Sequence, residues 1–351
     1  FSENLDSFVW VASGEHIYLG SARGEYMVST AVSGPITPTN FSFTKISTLG
    51  GSAIQPVVAD AAIIFVSRDR ARIFAVMYDY ERAGFVSTDI TLFASHLFQD
   101  RIRCLAYRPA VAEDQAPRLF VLTDNFDVRV AAYSTEQNIN AWGRMSVAEG
   151  FKIRALTASN TQMFFAMHDL SQEDYTYAMT YQKEIATAGL MDFSWTYSTP
   201  PNKIVPLEIF HQNKTLAVVS SELGFLGFFD SNTTLDLTSV AGDLGTLTVG
   251  IPFVSRLVLL PTIITTNTGM TLNQKIRLLR VALSVRNAYQ LFVNDEPLFG
   301  SIGSQLGREL SRKDGVFERR MLGWYNKDEM VIESASIYPA TILSISREVS
   351  V

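Results

Sequence analysis

Residues 54–98, IQPVVADAAIIFVSRDRARIFAVMYDYERAGFVSTDITLFASHLF, hold two apolar runs that face each other across a short polar turn and then lead into a brief helical signal. Side chains alternate between the faces of a strand, so Ile63 and Phe65 occupy one face of Ala61–Val66, and Ile64 and Val66 the other. Neither face can be left in water, and the hairpin formed with Ile73–Tyr78 is expected between two layers. Ser67, Arg68, Asp69 and Arg70 supply its turn, and Asp89 is the expected N-cap of a helix over Thr91–Leu97.

The scheme of apolar strand, charged tip and aromatic-bearing strand recurs. Upstream, Phe8–Ala12, Ile17–Leu19 and Tyr26–Val28 read as three short strands, followed by a loop carrying Gly34, Pro35 and Pro38 and a strand over Phe41–Ile46. Downstream, residues 102–145 repeat the pattern with a tip at Asp124–Asp127, residues 152–184 with a tip around Ser171–Asp174, and residues 205–230 once more. The central strands align at Leu19, Phe65, Val121, Phe165 and Val218, in steps of about 46, 56, 44 and 53 residues, the size of propeller blades. The fold class is therefore all-β. Residues 1–230 are expected to form a β-propeller-like domain of five visible copies, with the blade count open. A two-sheet sandwich would show similar strand spacing. From Ser231 the strands lengthen, and residues 231–351 are expected to form a smaller, sandwich-like β-rich domain.

Composition bounds the function. At 351 residues and 47% apolar content there is ample material for a core. Only 18% of residues are charged and the mean hydropathy is +0.12, which points to surface buried in an assembly. A net charge of −6 and a pI near 5.4 argue against a protein that grips phosphates tightly, without excluding nucleic acid sliding past. The single cysteine, Cys104, excludes an intrachain disulfide and reads as a structural thiol. The longest apolar stretch, Ile251–Ile264, is broken by Pro252, Arg256 and Pro261 and is too short to span a bilayer. The chain opens on Phe1, and is expected to begin inside a longer polypeptide.

No motif for chemistry stands out. His16, His96, His168 and His211 lie too far apart for a zinc motif, and no nucleophile elbow is present. Carboxylates pair at expected hairpin tips: Asp124 with Asp127, Glu173 with Asp174, Asp295 with Glu296, Asp328 with Glu329. Such pairs can cleave glycosidic bonds, but solvated tips explain them more simply. Gly300, Gly303 and Gly307 lack the Lys-Ser/Thr of a phosphate loop. The basic run Arg308, Arg312, Lys313, Arg319, Arg320 alternates with Glu309, Asp314 and Glu318, a pattern suited to ion pairing at a subunit boundary, and Leu298–Arg320 is expected to be an interface or channel-lining loop. No catalytic, cofactor-binding or metal-binding residue is assigned.

A set of stretches resembles a known family. LGSARGEYMVS (19–29), ITPTNFSFTKISTLGGS (36–52), residues 55–98, IRCLAY (102–107), INAWGRM (139–145), TVGIPFVSRLVLLP (248–261) and PATILSISREVSV (339–351) are similar, in pieces and order, to the tail nozzle proteins (tail tubular protein B) of short-tailed bacteriophages. The resemblance implies a non-enzymatic structural protein of the virion tail. It implies a homo-hexameric ring below the tail adaptor protein, with tail fibres or tailspikes as further partners and DNA passing through the channel during ejection without specific binding. An acidic lumen would let the duplex slide. The alternative from another class is a glycan-binding or glycan-cleaving propeller of a tail or cell surface, and a cellular propeller scaffold is a third reading.

Overall fold

A computed structural model describes residues 7–14, 16–30, 36–37, 40–110, 116–160, 162–170, 176–181, 190–260, 264–266, 269–271, 277–299, 312–321, 330–334 and 337–350. Gly34, Pro35 and Pro38, the tip at 171–174 with Glu173 and Asp174, the glycines at 300, 303 and 307, Arg308, Glu309 and the pair Asp328 and Glu329 lie outside the described residues. The fold is all-β: strands and two short 3-10 turns make up the regular structure described.

The chain divides into two compact units, residues 1–182 and 183–351. Unit 1 contains four antiparallel sheets, each built from consecutive strands in chain order. Sheet I comprises β1 (Phe8–Ser13), β2 (Ile17–Ser21), β3 (Gly24–Thr30) and β4 (Phe41–Ser47); sheet II β5 (Val57–Ala59), β6 (Ala62–Val66), β7 (Ile73–Asp79) and β8 (Gly84–Asp89). Sheet III comprises β9 (Ile102–Arg108), β10 (Arg118–Thr123), β11 (Val128–Ser134) and β12 (Ile139–Met145); sheet IV β13 (Phe151–Ala158), β14 (Met163–Asp169) and β15 (Thr176–Tyr181). Leu19, Phe65, Val121 and Phe165 all fall on the second strand of their sheet.

Sheet II is the buried middle of this arrangement, as the two-faced apolar hairpin requires. Ile63, Phe65, Phe74 and Val76 share a core with Trp10, Ala12 and Tyr18 of sheet I. Ile64, Val66, Ile73 and Ala75 share another with Leu105, Leu119, Val121 and Tyr133 of sheet III. Phe120, on the far face of sheet III, meets Phe165 of sheet IV edge-on at 6.0 Å. The outermost strands β4 and β12 are largely exposed, and β8 is mostly half-buried.

Local chemistry differs from expectation after β8. Leu92–Leu97 is a 3-10 turn interrupted at Ala94, and Thr91 stands at its N-cap with no side-chain cap. Asp89 instead ends β8 and accepts hydrogen bonds from the Thr91 N–H (2.8 Å) and hydroxyl (2.7 Å), while the Thr91 hydroxyl oxygen accepts from Ile73 N–H (3.3 Å).

In unit 2, β16 (Asp192–Ser198), β17 (Ile204–Pro206), β18 (Thr215–Ser220), β19 (Gly224–Asp230), β20 (Thr234–Asp236) and β21 (Thr246–Ile251) form a sheet of order β16-β21-β18-β19 and a separate ribbon β17-β20. The fifth copy thus departs from the simple meander: residues 204–206 pair with 234–236, and Val218 on β18 pairs with Val249 on β21. Because that ladder crosses residue 230, the boundary expected at 230/231 cuts a sheet, and the compact units divide at 182/183 instead.

The rest of unit 2 holds β22 (Ser255–Leu259), β23 (Ile264–Thr266), β24 (Gly269–Thr271), β25 (Arg277–Ala288), β26 (Phe292–Val293), β27 (Glu296–Pro297), β28 (Lys313–Arg320), β29 (Met330–Ser334) and β30 (Thr341–Ser350). Sheet β28-β25-β30 and sheet β22-β29-β26-β27 share one core through Val281, Leu283, Val285, Val293, Met330 and Ile332. The basic stretch ending at Arg320 is therefore a strand from Lys313 onward rather than a loop, since its alternation matches a sheet with one open face.

Candidate functional site

The residues singled out for chemistry are dispersed. His16 and His96 are exposed and His168 is half-buried. His211 alone is fully buried, in unit 2. Its Nε2–H donates to the Phe193 carbonyl at 2.7 Å, which leaves Nδ1 as acceptor for the Tyr197 hydroxyl at 2.8 Å. Tyr197 in turn accepts from the Glu208 N–H at 3.0 Å. Burial pushes the imidazole down to about 4, so at neutral pH it is an uncharged structural link with both nitrogens engaged. No group of three or more metal-ligating side chains gathers among the described residues.

Three of these carboxylates are tied to cations. Asp124 pairs with Arg70 at 2.6 Å, Asp127 with Arg129 at 3.3 Å and Glu296 with Arg319. Some charges of the basic run find partners inside unit 2: Arg312 with Asp314 at 2.9 Å, and Glu318, together with Glu348, with Arg280 at 3.0 and 2.9 Å. Burial pushes the half-buried Cys104 thiol up, away from the reactive thiolate.

What unit 1 does bring together is one end of its sheets, where the β6–β7 and β10–β11 turns and the starts of β9 and β13 meet. Around Ser67 the turn is closed by its own polar groups: its N–H donates to the Arg72 carbonyl at 2.9 Å, its hydroxyl donates to Asp69, and Arg72 N–H donates back to that hydroxyl at 3.0 Å. The Ser67 hydrogen bond holds the Asp69 carboxyl below its usual range. Arg70, left-handed at φ 62°, ties sheet II to sheet III: its Nε donates to the Ile102 carbonyl at 2.8 Å while its backbone carbonyl accepts from Ile102 N–H at 2.8 Å.

Two arginines at this end stand apart from those ties. Arg103 and Arg154 place their guanidinium carbons 5.0 and 4.2 Å from the centroid of the Phe126 ring, on the β10–β11 turn. Each is skipped in its ladder: Cys104 pairs with Leu122 and Ile102 with Thr123, leaving out Arg103, and Ile153 pairs with Met167 and Ala155 with Ala166, leaving out Arg154. A bulge of this kind turns a side chain out of the regular alternation. Sequence reasoning passed over both residues, although a signal was present in the repeated Ile-Arg-x-Leu of residues 102–105 and 153–156.

No protein-family model matches the chain, and a comparison with curated proteins returns no match.

Proposed function

We propose that the chain is a structural subunit of a short phage tail, a nozzle protein that forms a homo-hexameric ring beneath the adaptor and conducts DNA during ejection. In this reading the four sheets of unit 1 are successive blades of a β-propeller-like body, and the resemblance in residues 19–145 supplies the assignment to the tail. The observation that carries it is sheet II: a four-stranded meander buried on both faces by its sequence neighbours, the packing that blades require of one another. The exposed outer strands and the ion pairs that consume the carboxylates at hairpin tips suit a scaffold that works by shape.

The test is the mass of the purified chain in solution, with and without the adaptor, by size-exclusion chromatography with light scattering. A species of six times the 39.0 kDa chain is the expected outcome. A monomer at every concentration, with the adaptor present, overturns the proposal.

A further inference from the structure

We propose that Arg103 and Arg154, stacked on Phe126, form a binding site for a phosphate oxyanion. The inference goes beyond the nozzle reading and uses only residues of unit 1, so it holds or fails independently of any ring.

Three observations converge on it. Both arginines are exposed, and among the described residues neither forms an ion pair. The two carboxylates that flank Phe126 on its turn are already committed, Asp124 to Arg70 and Asp127 to Arg129. Both guanidinium carbons lie within 5.0 Å of one ring centroid, which gathers two cations rich in N–H donors at one ring.

Two unpaired like charges over one ring repel each other, and a structural role for either is met by stacking alone. An anion between them relieves that repulsion, and both bulges, one on β9 and one on β13, are spent on bringing the pair together. Phe126 is already engaged by two cations and so offers no platform for base stacking, which favours recognition of the phosphate group itself, without sequence preference. The phosphate can come from a nucleic-acid backbone or from a free phosphate compound.

The experiment compares the full chain with R103A/R154A, using the anisotropy of a fluorescein-labelled DNA duplex across a salt series and, separately, calorimetric titration with tripolyphosphate. If the backbone is the source, the double variant loses at least about tenfold in duplex affinity at low salt, and the slope of log K against log salt falls by about two. If a free compound is the source, tripolyphosphate binding is lost and duplex binding is unchanged. R103K/R154K, which keeps the charge but not the planar fork, is expected between wild type and the alanine variant. Thermal unfolding reports whether each variant folds; should R103A/R154A not fold, the single exposed substitution Arg154→Gln carries the test with about half the slope change. Wild-type and variant proteins that bind both probes alike, or a wild type that binds neither, overturn the proposal.

Discussion

Ile63 and Ile64 are joined by one peptide bond and belong to two different hydrophobic cores, Ile63 facing Trp10 and Tyr18 of sheet I and Ile64 facing Leu119 and Val121 of sheet III. Truncating either opens a cavity that its neighbours fill only in part. Ile63→Ala and Ile64→Ala should each lower stability by about 2–5 kcal/mol in urea unfolding, whereas Tyr80→Ser, at a residue 84% exposed, should change it by less than about 0.5 kcal/mol. Because the two isoleucines are chain neighbours in separate cores, any non-additivity of I63A and I64A in a double-mutant cycle reads coupling through their shared backbone.

Two glycines give opposite expectations. Gly50 has φ +78°, and a Cβ there would lie 2.3 Å from the Ala22 carbonyl oxygen, a backbone atom that cannot step aside. Gly143, on β12, has open space where its Cβ would be. Gly50→Ala should therefore cost about 1–3 kcal/mol through strain, while Gly143→Ala should be neutral or stabilising by about 0.5–1 kcal/mol, read from melting temperatures.

A single carbonyl on the exit from sheet II accepts twice: Ile90 receives the Asn140 amide at 2.8 Å and the Trp142 indole N–H at 2.9 Å. Removing one donor leaves the oxygen satisfied by the other. Trp142→Phe should cost no more than about 1 kcal/mol, and N140A/W142F should exceed the sum of the single costs by about 0.5–3 kcal/mol, measured as a double-mutant cycle.

Two buried titratable groups pull stability in opposite directions with pH. Glu25 on β3 is 1% exposed; the Ser47 hydroxyl and the Leu49 and Gly50 amides face it without closing well-formed hydrogen bonds, and burial pushes its carboxyl up. A raised folded-state value means that stability is fully present below the ordinary value of 4.5 and is lost as pH rises through the folded one. Glu25→Gln should consequently raise the melting temperature at pH 7 and leave it nearly unchanged near pH 4. His211 has the reverse sign: lowered from 6.5 to about 4, it binds fewer protons folded than unfolded, so stability is full above 6.5 and falls towards pH 4, by about 3 kcal/mol over the window. Amide hydrogen exchange around Phe193 and Tyr197 should rise first on acidification.

Much of unit 1 was legible because its signals are local. Alternation at Ile63–Val66 places apolar groups on both faces, and the spacing of Leu19, Phe65, Val121 and Phe165 is that of one meander, so chain order and sheet order coincide. Where they part, the pattern gives no warning. The pairing of Val218 with Val249 joins segments about 30 residues apart, and nothing in either strand's periodicity names its partner. A one-residue bulge at Arg103 or Arg154 leaves the apolar alternation readable while turning the side chain elsewhere, which is why the repeated Ile-Arg-x-Leu looked like ordinary strand. The burial of His211 depends on Phe193 and Tyr197 from another strand, and the basic run read as a loop because its charges line the open face of β28.

The central claim is that these stacked sheets belong to a ring-forming tail subunit, and negative-stain electron microscopy of the purified chain with its adaptor tests it most directly. The expected result is closed rings with sixfold symmetry around a hollow axis. Isolated particles of single-chain size, with the adaptor present at high concentration, would contradict it.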